Sequence, residues 1–167
     1  MLLFIDTEFT NLAPPAPKLI SLGLVSEDGR HAFYAEIEQG EEWDIPDCSA
    51  FVVKEVLPLL KATDSCQVAN RYALKHRLLP WLDALPGAGP HRIACDSQYD
   101  VFLLQQVVGD DWPAILDKKI VDLNVRMDPH GLFEHAFADC LLRRGAKAHN
   151  ALDDAYANRA GWLALIG

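Results

Sequence analysis

Residues 2–9 of this chain read Leu-Leu-Phe-Ile-Asp-Thr-Glu-Phe, and this stretch decides the fold. The unbroken apolar run at 2–5 is typical of a strand that is buried on both faces. Asp6 and Glu8 follow two positions apart, and because side chains alternate along a strand, both are expected to emerge on one face. Carboxylates beside a core are costly unless a partner compensates them, and a divalent cation is the usual partner. The stretch therefore predicts a strand that carries metal ligands.

Four further strands are predicted from the apolar pattern. Residues 19–25 and 31–37 are the second and third strands, joined by a turn at Asp28-Gly29. With the first strand they form an antiparallel meander. Shorter apolar segments at 92–95 and 119–123 predict two more strands, which alternate with helices. This order predicts an α/β fold with one central, mixed, five-stranded sheet flanked by helices.

The helices are predicted at residues 49–60, from a cap at Asp64 or Ser65 to about 85, and at 99–108, 131–144 and 150–166. Between the first two strands, the proline-rich residues 11–17 cannot form a central strand and are predicted as a loop beside Asp6 and Glu8. The chain has 167 residues, half of them hydrophobic, and is predicted to be a single domain over 1–167.

Composition narrows the classes of function. The formal net charge is −9 and the isoelectric point is about 5.0, which argues against a tight, sequence-neutral binder of duplex nucleic acid, since such proteins carry a basic face. The four cysteines have neither CxxC nor zinc-finger spacing. No signal peptide and no apolar run of about 20 residues is evident, so the expectation is a cytoplasmic protein with reduced thiols and no membrane partner.

Two more polar clusters adjoin predicted elements: Asp96-Ser-Gln-Tyr-Asp100 and His149-Asn-Ala-Leu-Asp-Asp154. Asp96 ends a strand and Asp100 opens a helix, where a cap or a favourable charge in the first turn is an ordinary explanation for either. His149 precedes the last helix and Asp154 lies in its second turn. Small residues recur along that helix at 151, 154, 158 and 161, which would let it approach the sheet closely and bring Asp154 towards Asp6.

Taken singly, each cluster also fits turns and helix caps. Taken together, four acidic residues and one histidine predict a two-metal site for phosphodiester cleavage. Carboxylate ligands suit Mg²⁺ or Mn²⁺, and a histidine is suited to act as general base at neutral pH.

The three clusters resemble, in type and order, the motifs of the DEDDh branch of the DEDD superfamily of 3′-to-5′ exonucleases. That family has Asp-x-Glu on its first strand, an Asp after an aromatic residue at the head of a helix, and His-x4-Asp on its last helix. Here the motifs read Phe4-Ile-Asp6-Thr7-Glu8-Phe9, Tyr99-Asp100 and His149-Asn-Ala-Leu-Asp-Asp154. The resemblance spans almost the whole chain and implies a ribonuclease H-like fold. The first two strands look most like the bacterial RNase AS-like exoribonucleases. Many members have Asn where this chain has Asp96.

The resemblance implies a division of roles. Asp6, Glu8 and Asp154 would hold one of two Mg²⁺ or Mn²⁺ ions, Asp6 would bridge to the second, and Asp100 would bind or orient the pair. His149 would take a proton from the attacking water. The product would be a nucleoside 5′-monophosphate released from a 3′ end.

Substrate contacts are expected beside the first motif. The backbone around Thr7 would read the terminal 3′-hydroxyl, and Phe9 or Leu12 would stack on the last base. The substrate is expected to be single-stranded, with RNA favoured over DNA by the subgroup resemblance, and the relatives imply a homodimer. Three alternatives stay open: a DNA exonuclease, an inert nucleic-acid-binding module of the same fold, and a set of caps and turns without chemistry.

Overall fold

A computed structural model describes residues 1–12, 16–87, 89–110, 112–124 and 128–167. The strands are β1 (Leu2–Phe9), β2 (Leu19–Ser26), β3 (Ala32–Ile37), β4 (Gln67–Val68), β5 (Arg92–Cys95) and β6 (Val121–Asp122). The α-helices are α1 (Arg71–Asp83), α2 (Gln98–Val108), α3 (Leu132–Arg144) and α4 (Ala151–Ile166). The strands form one sheet in the order β4-β3-β2-β1-β5-β6.

Strand β1 lies inside the sheet, antiparallel to β2 and parallel to β5. Its side chains alternate between two apolar clusters. Leu3 and Ile5 belong to the larger cluster, which includes buried leucines of α1 and α2, whereas Leu2 and Phe4 pack with Phe133 of α3. The predicted meander, and the mixed sheet flanked by helices, are therefore confirmed.

The predicted number of strands is wrong by one, because the sheet has six strands rather than five. The additional strand is β4, which pairs in parallel with β3 and occupies residues that were predicted to be helical. Helix α1 begins only at Arg71, after Asn70, whose side chain accepts a hydrogen bond from the Ala73 amide at 2.9 Å. A two-residue strand is too short to show alternation, so the helix prediction extended through it.

The predicted helix at 49–60 is also not a regular α-helix. Val52–Val56 forms a π-helical turn, and Leu57–Leu59 continues as a 3₁₀ turn. Pro58 lies within the second turn and has no backbone N–H to donate, which accounts for the break in the helical ladder. The proline-rich loop predicted at 11–17 includes residues 13–15, which lie outside the described residues.

Both helix entries that flank the predicted site have polar caps. Ser97 caps α2, with its hydroxyl accepting from the Tyr99 amide at 3.2 Å, so the alternative of Asp96 as the cap is wrong. Asn150 caps α4, and its side-chain oxygen accepts from the Asp153 amide. Within the described ranges, no helix is both long enough and apolar enough to cross a membrane.

Helix α4 touches the backbone of the sheet at Gly23. This glycine lies on β2 opposite Asp6, and a Cβ atom added to it would lie 2.3 Å from the carbonyl oxygen of Ala151. At the other end of the small-residue stripe, a Cβ on Gly161 would lie 2.7 Å from the ring of Phe133. The absence of side chains at these positions allows the close approach that the sequence predicted.

Replacing Gly23 with alanine is expected to lower the free energy of unfolding by about 1–3 kcal/mol, because the added methyl group must push the helix backbone away from the sheet. Chemical denaturation would measure this change. Gly40→Ala is the control, since Gly40 has a φ of +91° but no described atom within 4 Å of an added Cβ. It reports backbone strain without a collision. A Gly23→Ala variant as stable as the parent would contradict the packing argument.

Candidate active site

Strand β1 carries two of the acidic residues within its length, not after its end. Asp6 and Glu8 lie on the face towards α4, opposite Gly23 and Ser21 of β2. Thr7 lies between them in the sequence, and its side chain is buried. Its hydroxyl donates a hydrogen bond to Asp100 Oδ1 at 2.6 Å. The strand therefore presents both of its carboxylates on one side and uses the intervening residue to hold a third.

Helix α2 and the end of β5 supply two further acids. Asp100 lies in the first turn of α2 and is only 1% exposed, while Asp96 directly follows β5. One carboxylate oxygen from each of Asp6, Asp96 and Asp100 lies within 4.8 Å of the others. We call these three residues the Asp96 group.

The entry of α4 supplies the histidine and the last acid. Ligand atoms of Glu8, His149 and Asp154 lie within 4.8 Å of one another, and we call these residues the His149 group. The backbone amide of His149 donates to Asp154 Oδ2 at 2.7 Å, and the residue has a φ of +78°, which is unusual for a side chain larger than glycine. Its ring meets the ring of Phe51 edge-on, with centroids 4.9 Å apart.

A buried polar network holds the histidine in place. The side-chain amide of Asn150 donates to the hydroxyl of Tyr34 and to the carbonyl of Leu59, both at 3.1 Å. Tyr34 in turn donates to Glu36 Oε1 at 2.6 Å, and Glu36 also accepts from the backbone amides of residues 61 and 62. Because Asn150 adjoins His149, this network ties the strained backbone to β3.

The acids are electrostatically strained against one another. Burial raises the pKa of Asp6 well above its usual range, and the charges of Asp100 and Glu8 raise it further. Burial, followed by the charges of Asp154 and Asp100, raises the pKa of Glu8 to about 8.

Asp100 and Asp154 show the same effect. Burial is the largest cause in both, and the charge of Asp96 adds to it, so that each pKa rises to about 7. Hydrogen bonds to Asp100 from Thr7 and to Asp154 from the His149 amide act in the opposite direction. Repulsion of this kind is relieved when a cation binds between the carboxylates.

Two buried oxygen atoms point to the same requirement. Asp100 Oδ2 and Asp154 Oδ1 are buried and have no hydrogen-bond partner among the residues that the structure describes. Such atoms are rare in folded proteins unless a ligand or an ion satisfies them. The donor set is mostly carboxylate oxygen with one imidazole, which fits hard divalent cations such as Mg²⁺ or Mn²⁺.

A largely apolar cavity of about 410 Å³ opens beside the His149 group. Its lining includes Glu8, Phe9, Leu12 and Phe51, so both residues predicted to stack on a base border it. Phe9 also packs against Tyr99, with ring centroids 5.5 Å apart. Sequence reasoning did not identify Phe51, since an aromatic residue in a short helical segment carries no signal of its own.

Neither a protein-family model nor a curated protein matches the sequence. Two solved structures match over 99% of this chain. The first is the nuclease domain of 3′hExo, described as a DEDDh family member bound to rAMP, with 17% identity, 92% of that chain covered and a TM-score of 0.56. The second describes 3′-end-specific recognition of a histone mRNA stem-loop by 3′-exonuclease, with 16% identity and a TM-score of 0.57, and this chain spans 64% of it. The chain thus has the ribonuclease H-like fold of DEDDh nuclease domains.

The raised pKa values predict how stability depends on pH. The buried carboxyl groups have folded-state pKa values of about 7 to 8 against about 4 when unfolded, so their protonation stabilises the fold at low pH. In a chelator, this contribution is lost as the pH rises from about 5 to 8, and the melting temperature is expected to fall. Adding Mg²⁺ or Mn²⁺ at pH 8 should restore it.

Asp100→Asn is a matched control for this measurement, since it removes one charge and keeps an oxygen to accept the Thr7 hydroxyl. Its melting temperature should change less between pH 5 and 8 than that of the parent. A parent protein whose melting temperature rises over this range in chelator would show that the carboxylates are not in conflict.

Proposed function

We propose that this protein is a metal-dependent 3′-to-5′ exonuclease of the DEDDh type, acting on single strands and releasing nucleoside 5′-monophosphates. The observation that carries the proposal is that β1, α2, α4 and the end of β5 bring together the Asp96 group and the His149 group. Within these groups, buried oxygen atoms of Asp100 and Asp154 lack a hydrogen-bond partner in the described part of the chain. The fold shared with DEDDh nuclease domains supports the same function.

The two groups divide the ligands for two cations. Glu8 and Asp154 would hold one ion, Asp100 would hold the other, and Asp6 would serve both, since it lies on the same face of β1 as Glu8 and belongs to the Asp96 group. When bound, such a pair of ions makes water more acidic and stabilises the leaving 3′ oxygen. The protein fixes their ligands on a strand and two helix entries, which are rigid elements.

His149 is the general base in this proposal. Its imidazole adjoins Glu8 and Asp154, so it can accept a proton from a water that attacks a phosphate between the two groups. The ring is held beside Glu8 and Asp154 by the Asn150 network and by the hydrogen bond from the His149 amide to Asp154. The edge-on contact with Phe51 limits the rotation of the ring. The strained φ is the cost of this position.

The apolar cavity is the proposed site of the terminal base. Phe9, Leu12 and Phe51 offer flat or apolar surfaces beside Glu8. A contact of the backbone around Thr7 with the terminal 3′-hydroxyl stays a prediction from the sequence. Stacking is tolerant of sequence because every base has a π-face. RNA is favoured over DNA by the resemblance to RNase AS-like proteins. A homodimer, a cytoplasmic location and a single domain over 1–167 stay predictions from the sequence.

The decisive experiment is an incubation with 5′-labelled single-stranded RNA and DNA of the same sequence, with Mg²⁺ or Mn²⁺. We expect a ladder that shortens from the 3′ end and disappears with EDTA or in Asp6→Ala. Asp83→Ala removes an exposed acid at the end of α1 and should leave the ladder unchanged.

The outcomes separate the alternatives. Faster loss of the DNA strand would replace the exoribonuclease by a DNA-trimming enzyme. No cleavage of either strand, together with no binding of divalent ions in a titration, would replace the enzyme by an inert nucleic-acid-binding module.

The base-stacking role predicts a defect in substrate use. Phe9→Ala and Phe51→Ala should each raise KM for single strands by about tenfold, since one base–aromatic stack contributes about 1–3 kcal/mol. Initial rates against substrate concentration measure this effect. Tyr72→Ala, at an aromatic residue on α1 that is 70% exposed, is the control. An unchanged KM in Phe9→Ala would remove Phe9 from the base site.

A further inference from the structure

Asp96 is the one residue of the two groups to which the proposed mechanism gives no role. Its position follows from the parallel pairing of β1 with β5, in which Phe4 lies level with Ala94. The pairing ends there, two residues before Asp6 and Asp96, and a carboxylate oxygen of Asp96 still lies within 4.8 Å of one of Asp6. The side-chain amide of Asn124 donates to the carbonyl of Asp96 and fixes its backbone beyond the end of the strand.

Asp96 lies beside a buried carboxylate oxygen that has no hydrogen-bond partner among the described residues. Asp100 is nine-tenths buried or more, its Oδ1 accepts from Thr7, and its Oδ2 has no partner among the described residues. Oxygen atoms of Asp6 and Asp96 lie within 4.8 Å of an oxygen of Asp100. Asp96 is not the cap of α2, since Ser97 fills that role, so capping does not account for an acid here.

We propose that Asp96 is a third carboxylate ligand of the cation held by Asp6 and Asp100, and that it lets this cation bind before the nucleic acid. The inference rests on the proposed function. Mg²⁺ in phosphoryl-transfer sites is commonly held by one or two carboxylates together with phosphates of the substrate. A site with three carboxylates needs no phosphate to complete the compensation of its charge, so its occupancy no longer depends on the substrate.

The test is a calorimetric titration of the metal-free protein with Mn²⁺, in the absence of nucleic acid. The parent is expected to bind two ions. Asp96→Asn, which has nearly the same shape, should bind one ion as before and the other about tenfold more weakly or worse, since even outer groups of metal sites contribute about 10- to 100-fold. Adding a non-hydrolysable single strand should recover part of the lost affinity.

Asp122→Asn is the matched control. Asp122 is exposed and lies on β6, opposite Cys95 of β5. The substitution keeps a side-chain oxygen that can accept the hydrogen bond from the backbone amide of Asn124. It removes the same charge from the same end of the sheet, so both ions should bind as in the parent. Thermal melting in EDTA gives a second readout: Asp96→Asn should melt no lower than the parent, because it relieves repulsion.

Two results would overturn the inference. If Asp96→Asn binds both ions with unchanged affinity, Asp96 is not a ligand. If it weakens both ions equally, Asp96 acts only through its charge at a distance. The titration measures metal binding and not cleavage, so it tests the role of Asp96 separately from the proposed function. A parent protein that binds two ions in the titration but degrades no strand in the incubation would contradict the exonuclease proposal and leave the role of Asp96 standing.

Discussion

The contact between the backbones of Gly23 and Ala151 is the constraint on which the rest of the site depends. A helix normally packs on a sheet through the side chains of both elements. Here the first turn of α4 rests on the strand itself, because Gly23 has no side chain. The same first turn carries Asp154, not the second turn as the sequence predicted, and brings it close to Glu8. His149, the residue before the helix cap, reaches the same point. A larger residue at position 23 would separate the acids of β1 from those of α4.

This closeness causes repulsion between the carboxylates of the site. The buried Glu36, by contrast, accepts hydrogen bonds from two backbone amides and a tyrosine hydroxyl. At the site, burial and mutual repulsion raise the pKa of Glu8, Asp100 and Asp154 together. One buried acid is thus fully hydrogen-bonded, whereas the acids of the site repel one another. This contrast is expected of a site that binds a cation between its carboxylates.

The features that could be predicted from sequence are those with a local signal. Alternation along a strand placed Asp6 and Glu8 on one face, and the small residues of α4 predicted its close approach. Gly23 had a signal that was not used, since an isolated glycine inside a strand often marks the approach of another backbone. Strand β4 and Phe51 had no local signal in the sequence. The two-residue strand β4 forms only because it can pair with the edge of β3, and the role of Phe51 depends on its contact with His149, which is distant in sequence.

Under the proposed function, an acidic exonuclease would obtain affinity for its substrate from sources other than lysine and arginine. With a net charge of −9, this chain repels a phosphate backbone at long range. The site answers with two short-range attractions that lie side by side: an apolar cavity for a base, and carboxylate groups that suit cations for the phosphate. The cavity acts only on an unpaired base, because a base inside a duplex cannot leave its stack to enter a cavity without losing its partner. Under the proposed function, the negative net charge and the small cavity would both favour a free 3′ end of a single strand.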